Sequence, residues 1–376
     1  MNNVNSYKMK FENHYRQNPN FPHRYISYHS LEKFLHENLS DYLSVVGASY
    51  QGKNIYKVSI GKGNTRVLAW SQMHGNESNG THAMLDLLET LNGLPELKEQ
   101  LFSEIVLDFI FMLNPDGSEQ WTRRNALDID LNRDFLKRSS KELPFLISIA
   151  EQGSYDYALN LHEQRTIFST DGVHPATLSF LAPSENVERD ITENRQRCMA
   201  VISEIYDSLK PYIPHQMARY TDEFYPASVG DNFMKMGIPT ILYEGGHSVE
   251  DYKRVETRRY FTYALYYGLV AIAKLKGAIE GWQQYFDLPE NKESHYDIIY
   301  RNVKLNTDFE CILDVAVQYK EVYNEGNDDI TLVPMVVEVG DCSRKKGWQE
   351  VDATGKFFKC ERMYPKLDAP VDFEIV

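Results

Sequence analysis

The chain has 376 residues, 42% of them hydrophobic, enough for a packed core larger than one typical domain. Its 54 Asp+Glu against 40 Lys+Arg give a formal charge of −14, and no Lys/Arg run supplies the clustered basic surface that phosphate contacts need, which excludes nucleic acid as a partner. No apolar stretch is long enough to span a bilayer, Met1 to Lys8 lacks the apolar run of an export signal, and Cys198, Cys311, Cys342 and Cys360 show neither metal nor disulfide spacing; the expectation is a cytoplasmic protein with reduced thiols and no membrane partner.

Taken in chain order, Ser30 to Leu35 reads as helical and Asn54 to Ile60 as a strand that ends at the turn Gly61-Lys62-Gly63. Arg66 to Met73 reads as a buried strand, Gly80 to Leu91 as a helix, Ile105 to Leu113 and Tyr157 to Leu161 as further strands, Glu188 to Leu209 as a long helix and Pro239 to Tyr243 as another strand. Such alternation predicts an α/β sheet flanked by helices on both faces. Asp251 to Phe286 carries aromatic and apolar residues at helical spacing, which predicts one long closing helix. After Leu288-Pro289 the pattern turns to β, in Cys311 to Val317 and Thr331 to Val339 with Glu325 to Asp329 as a turn. We therefore expect a catalytic domain over residues 1–289 and a small all-β domain over residues 290–376 that covers an edge or narrows an entrance.

The chemistry sits at strand ends. His74-Gly75-Asn76-Glu77 follows the first buried strand, Asn114-Pro115-Asp116-Gly117 the second, His162 the third and Glu244 the fourth. Open α/β sheets bind ligands at the carboxyl ends of their strands, so these four clusters are expected to form one site. Two histidines and a carboxylate are the protein ligands of a hydrolytic zinc that keeps one position for water, which makes His74, Glu77 and His162 the candidate ligands of one zinc ion. His174, in a Gly-Val-His-Pro loop, is the rival for the third place. Arg123 and Arg133 suit a developing oxyanion and a terminal carboxylate, since the first needs a fixed positive group and the second a planar guanidinium fork. Glu244 ends an apolar strand, where an acid is out of place unless it serves a cleft.

Read together, His-x-x-Glu, Asn-Pro-Asp-Gly, Arg123-x-Asn125, Asp130-Leu131-Asn132-Arg133, His162, Tyr225 and Glu244, spread from about residue 66 to 246, resemble the funnelin-type zinc carboxypeptidases. The resemblance implies zinc on His74, Glu77 and His162. It also implies Asn132 and Arg133 on the substrate's terminal carboxylate, Arg123 rather than Arg124 on the scissile carbonyl, Glu244 as general base and Tyr225 as a mobile tyrosine that closes over substrate. The substrate is then a peptide with a free carboxylate. His-Gly-Asn-Glu with Asp-Leu-Asn-Arg-x-Phe also resembles the aspartoacylase and succinylglutamate desuccinylase branch, whose substrates are N-acyl amino acids, and the β tail keeps that alternative open. A binding module that kept the fold and lost the chemistry is disfavoured by the full set of candidates. Asp231, six residues past Tyr225, is a position that would favour a basic or diamino-acid terminus if it faced the pocket.

Overall fold

A computed structural model describes residues 10–305, 311–324 and 329–376. The Met1 to Lys8 stretch and residues 325–328 of the expected turn lie outside the described residues. In chain order the first part runs α1 (Tyr28–Asn38), β1 (Leu43–Ala48), β2 (Asn54–Gly61), β3 (Thr65–Ser71), α2 (Asn79–Asn92), α3 (Pro95–Phe102), β4 (Ile105–Phe111), α4 (Pro115–Glu119), α5 (Leu143–Gly153) and β5 (Tyr157–Glu163). It continues with β6 (Phe168–Ser169), β7 (Leu178–Leu181), α6 (Glu193–Leu209), β8 (Met217–Arg219), α7 (Val229–Lys235), β9 (Thr240–Gly245) and α8 (Val255–Leu275). The last part holds β10 (Lys292–Glu293), β11 (His295–Leu305), β12 (Cys311–Tyr323), β13 (Ile330–Gly340) and β14 (Lys346–Asp352).

Eight strands form one mixed sheet in the order β1-β2-β4-β3-β5-β9-β7-β8. Its centre, β4-β3-β5-β9, is parallel, so these four strands deliver their carboxyl ends to one edge. The central strands are buried on both faces, as their near-continuous apolar runs require. One face packs on α2, α3, α6 and α8 through residues such as Leu88, Leu107, Ile202 and Phe261, and the other on α5 and α7 through Trp70, Ile110, Leu146 and Phe233. A mixed α/β sheet flanked by helices is thus the architecture, followed by a separate four-stranded sheet in the order β13-β12-β11-β14 with its own apolar cluster of Val303, Val315, Val336, Ala353 and Phe358.

The expected helix over Asp251 to Phe286 is shorter and broken. It ends at Leu275, and a 3₁₀ turn covers Trp282–Asp287. Gly277 (φ +89°) and Gly281 (φ +75°) stand between them in the left-handed region that glycine tolerates, so the aromatic spacing continued across a break in the helix that the periodicity hides. Among the described residues no helix is long and apolar enough to cross a membrane. The four cysteines are free, with Cys198 and Cys342 buried.

Candidate active site

Two adjacent parallel strands stop in the same way. Gln72 (φ 47°) and Met112 (φ 49°) take left-handed backbone just past β3 and β4, and the N–H groups of Leu113 and Asn114 donate to the carbonyls of Ser71 and Gln72 at 3.0 Å each. Non-glycine residues in this conformation cost about 1–3 kcal/mol and persist where the surroundings over-determine them. The two turns then lock together. Asn114 caps α4 by accepting from the Gly117 N–H at 2.9 Å, Pro115 needs no partner for its missing N–H, and a Cβ on Gly75 would lie 2.1 Å from the Gly117 carbonyl carbon. Gly75 is therefore what lets the His-Gly-Asn-Glu turn pack on Gly117, while Gly117 itself has no room for a Cβ between the Arg124 carbonyl and the Asn114 side chain.

This packing turns His74 and Glu77 toward His162 near the end of β5, and β5 pairs with β9 so that His162 stands opposite Glu244. His74 Nδ1 and His162 Nδ1 are 3.1 Å apart, and each lies 2.8 Å from a Glu77 carboxylate oxygen. The ligand atoms of His74, Glu77 and His162 all fall within 4.8 Å of one another, and all three residues are buried. His74 Nε2 lies 3.2 Å from Asp130 Oδ1; a proton on Nε2 leaves the Nδ1 lone pair turned to the shared point. Two imidazole lone pairs and a carboxylate aimed at one point form a donor set that fits a divalent zinc ion. His174 is half-buried and pairs with Asp171 at 2.8 Å, outside this cluster. His82 lies under Arg24, its Nε2 3.2 Å from the Arg24 carbonyl oxygen, and His247 packs against Trp348, so neither reaches the three residues.

Arg123 donates from Nε to Asp130 Oδ2 at 2.9 Å and from Nη1 to Glu77 Oε1 at 3.3 Å, beside the histidines. Arg124 turns away and donates to the Asp128 carbonyl at 2.8 Å. Asn125, quoted above only for its spacing, shapes the loop: its Oδ1 accepts from the N–H groups of Leu127 and Ile129, and its Nδ2 donates to Glu142. Arg133 stacks over the Tyr225 ring at 5.1 Å and, among the described residues, pairs with no carboxylate. Asn132 accepts the Val229 N–H at 3.1 Å and so docks the Tyr225 loop onto the Asp-Leu-Asn-Arg turn. Asp231 lines the same cavity, but its oxygens accept from the Ser228 hydroxyl and the Tyr225 N–H, which spends them on the loop and the start of α7.

Glu244 is half-buried, and its Oε2 is shut off from solvent without a hydrogen-bond partner. Burial, and after it the neighbouring Glu77 charge, push its proton affinity well above the usual carboxylate range; Arg123 opposes them. Glu77 goes the other way. Burial raises it, yet the two histidines outweigh burial and hold it far below its ordinary value. Two acids of unlike proton affinity thus face each other across the site, an arrangement that suits one to carry a proton and the other to remain charged.

A cavity of about 950 Å³ brings together His74, Glu77, His162, Arg123, Arg133 and Glu244, with Asn132 and Tyr225 on its wall. The model of the zinc carboxypeptidases matches residues 28–263. The chain belongs to the zinc carboxypeptidase family. As a zinc carboxypeptidase it is a hydrolase of peptide bonds that uses one zinc ion, and the His74, Glu77 and His162 cluster fits that ion. The metallo-carboxypeptidase of Burkholderia cenocepacia shares the fold at a TM-score of 0.55 and 15% identity, over 67% of this chain and 70% of that one. Carboxypeptidase A of Helicoverpa armigera gives 0.52 and 16%, over 66% and 74%. The metallo-carboxypeptidase of Pseudomonas aeruginosa, solved with (2-guanidinoethylmercapto)succinic acid, gives 0.50 and 15%, over 67% and 69%. No curated protein sequence matches the chain.

Sequence reasoning passed over several residues of this zinc carboxypeptidase that the fold gathers at the site. Asp130 touches both His74 and Arg123, and its signal was its place as cap of the turn that carries Asn132 and Arg133. Burial raises Asp130, but the hydrogen bonds and charges of His74 and Arg123 prevail and keep it ionised. Glu163 gives its N–H to Glu77 Oε2 at 3.1 Å and holds Arg24 at 2.6 Å. An acid directly after His162, inside a buried strand, was the available sign of it. Arg24 had none, because it comes from a loop near the start of the described chain.

Proposed function

We propose that the enzyme is a carboxypeptidase that removes the C-terminal residue of a peptide whose terminal carboxylate is free. The observation that carries the reading is Arg133, a guanidinium that pairs with no carboxylate among the described residues of an acidic protein and lines the same cavity as the zinc-fitting cluster. A planar fork held over Tyr225 is shaped for a terminal carboxylate, and Asn132 beside it adds a second polar contact. Zinc, when bound to His74, Glu77 and His162, supplies a Lewis acid and water of lowered pKa.

Everything else falls to the chain's own residues. Glu244, whose buried surroundings raise its proton affinity, takes a proton on its carboxylate from the attacking water and returns it to the leaving amine. Arg123, fixed by Asp130, meets the negative charge that develops on the carbonyl oxygen. Tyr225 is 43% exposed on a loop and lies over Arg133, a position from which it covers the bound terminus. Residues 1–289 form the catalytic unit in this reading and residues 290–376 a second domain. The free thiols suit a reducing compartment such as the cytoplasm. The N-acyl amino acid alternative has no observation of its own in its favour.

Mass spectrometry of zinc-loaded enzyme with paired peptides, free and amidated at the C-terminus, tests the reading. Loss of single residues from free ends alone is expected. Equal rates on both peptides, or release of acyl groups from N-acyl amino acids with no action on peptides, would overturn it.

A further inference from the structure

We infer that β12 of the second sheet sets the length of the substrate, so that the preferred substrates are short peptides of roughly two to four residues rather than the ends of long chains. This rests on the carboxypeptidase reading above and adds to it the substrate's size.

The direction of the cleft follows from a line of contacts. Tyr225 lies over Arg133, Arg133 follows Asn132 in the turn capped by Asp130, and Asp130 holds His74 and Arg123. Beyond them Glu77 accepts the N–H of Glu163, Glu163 holds Arg24, and Arg24 reaches Glu321 on β12. A peptide with its carboxylate on Arg133 and its scissile carbonyl at Arg123 therefore points its N-terminal part at Glu163, Arg24 and β12. The segment Gln318, Tyr319, Lys320 and Glu321 lines the cavity there, together with Trp121.

That wall is fixed. Arg24 is buried between Glu163 and Glu321, and the Trp121 indole N–H donates to Glu321 Oε2 at 3.0 Å. Tyr25 stacks on Tyr323 with centroids 4.1 Å apart. Gln318 donates to Thr166 Oγ1 at 2.5 Å, the Tyr319 N–H donates to Asp297 at 2.7 Å, and the Trp348 indole donates to the Thr166 carbonyl at 2.8 Å. A strand tied along its length by buried charges and ring stacking does not swing aside as a flexible loop can. The volume it encloses, about 950 Å³, lies at the upper end of the range for small-ligand sites, which suits a few residues.

The test uses the full-length, zinc-loaded enzyme and free-ended peptides that share one C-terminal dipeptide and grow at the N-terminus from about two to about ten residues, a length that extends beyond ~30 Å. We expect kcat/KM for the longest to lie below that for the tripeptide by about tenfold or more. Lys320 is exposed on the cavity rim, so its variants are expected to fold. Lys320→Gly should raise the ratio of long-peptide to tripeptide kcat/KM, and Lys320→Trp should lower it. A kcat/KM independent of length, or a length preference that neither variant moves, would overturn the role of β12 and leave the carboxypeptidase standing. No residue released from any of the peptides would overturn the reading beneath it and this inference with it.

Discussion

At the scale of single residues, the site depends on a division of labour between carboxylates. Glu244 gains proton affinity from burial and from Glu77, whereas Glu77 and Asp130 are held ionised by the histidines and Arg123. Glu244→Gln keeps the shape and removes the proton carrier. Its kcat should fall by roughly 10²–10⁴-fold, the usual contribution of a positioned acid–base, while zinc content measured by elemental analysis stays at the wild-type level. A variant that lost its zinc would mean that Glu244 supports the metal ligands instead. Glu244 was legible in the sequence because an acid at the end of an apolar strand is costly without a purpose. Tyr225 was much less so, as 25 tyrosines compete for the part and only the resemblance singled it out.

At the scale of elements, the decisive device is the meeting of two glycine turns. Gly75→Ala puts a methyl group 2.1 Å from the Gly117 backbone, which has no flexible side chain to move away. Overpacking of this kind costs about 1–3 kcal/mol, and here the strain falls beside His74 and Glu77. Zinc affinity should drop by about tenfold or more, the effect seen when the support of metal ligands is disturbed, as read by competition with a chelator. Unchanged affinity would show that the turn relaxes freely. The strands and helices that form this device were readable from periodicity: β3 and β4 end within two residues of their expected limits, and α2 covers the expected helix with one residue added at each end. What periodicity could not reveal was a helix break within an aromatic run, as at Gly277 and Gly281, or the sheet order that brings β9 beside β5. Contacts between distant segments, such as Arg24 with Glu163 and Glu321, leave no local pattern at all.

At the scale of the whole molecule, the two sheets meet through a ring stack. His295 lies 3.7 Å from Trp348 in parallel orientation, and His247, from the loop after β9, lies 5.5 Å from the same ring. Both histidines are buried. Burial, and then Arg254 and His295, lower His247 to about 3, and burial, then Lys346, lowers His295 to about 4. In the unfolded chain each titrates near 6.5, so the unfolded state binds more protons as the pH falls below that value. The stability they contribute is complete above about pH 6.5 and is lost progressively down to about pH 3. The melting temperature should therefore decline through this window, and His247→Leu should flatten the decline; an identical slope in the variant would exclude His247 as its source. The same junction bears on how the enzyme comes into being. Arg24 and Glu321 stand 297 positions apart, and every candidate catalytic and zinc-binding residue lies between them in the chain. During synthesis all of these residues are therefore made before the strand that closes the far wall of the site is translated. Selectivity for short substrates is thus the last property the growing polypeptide acquires.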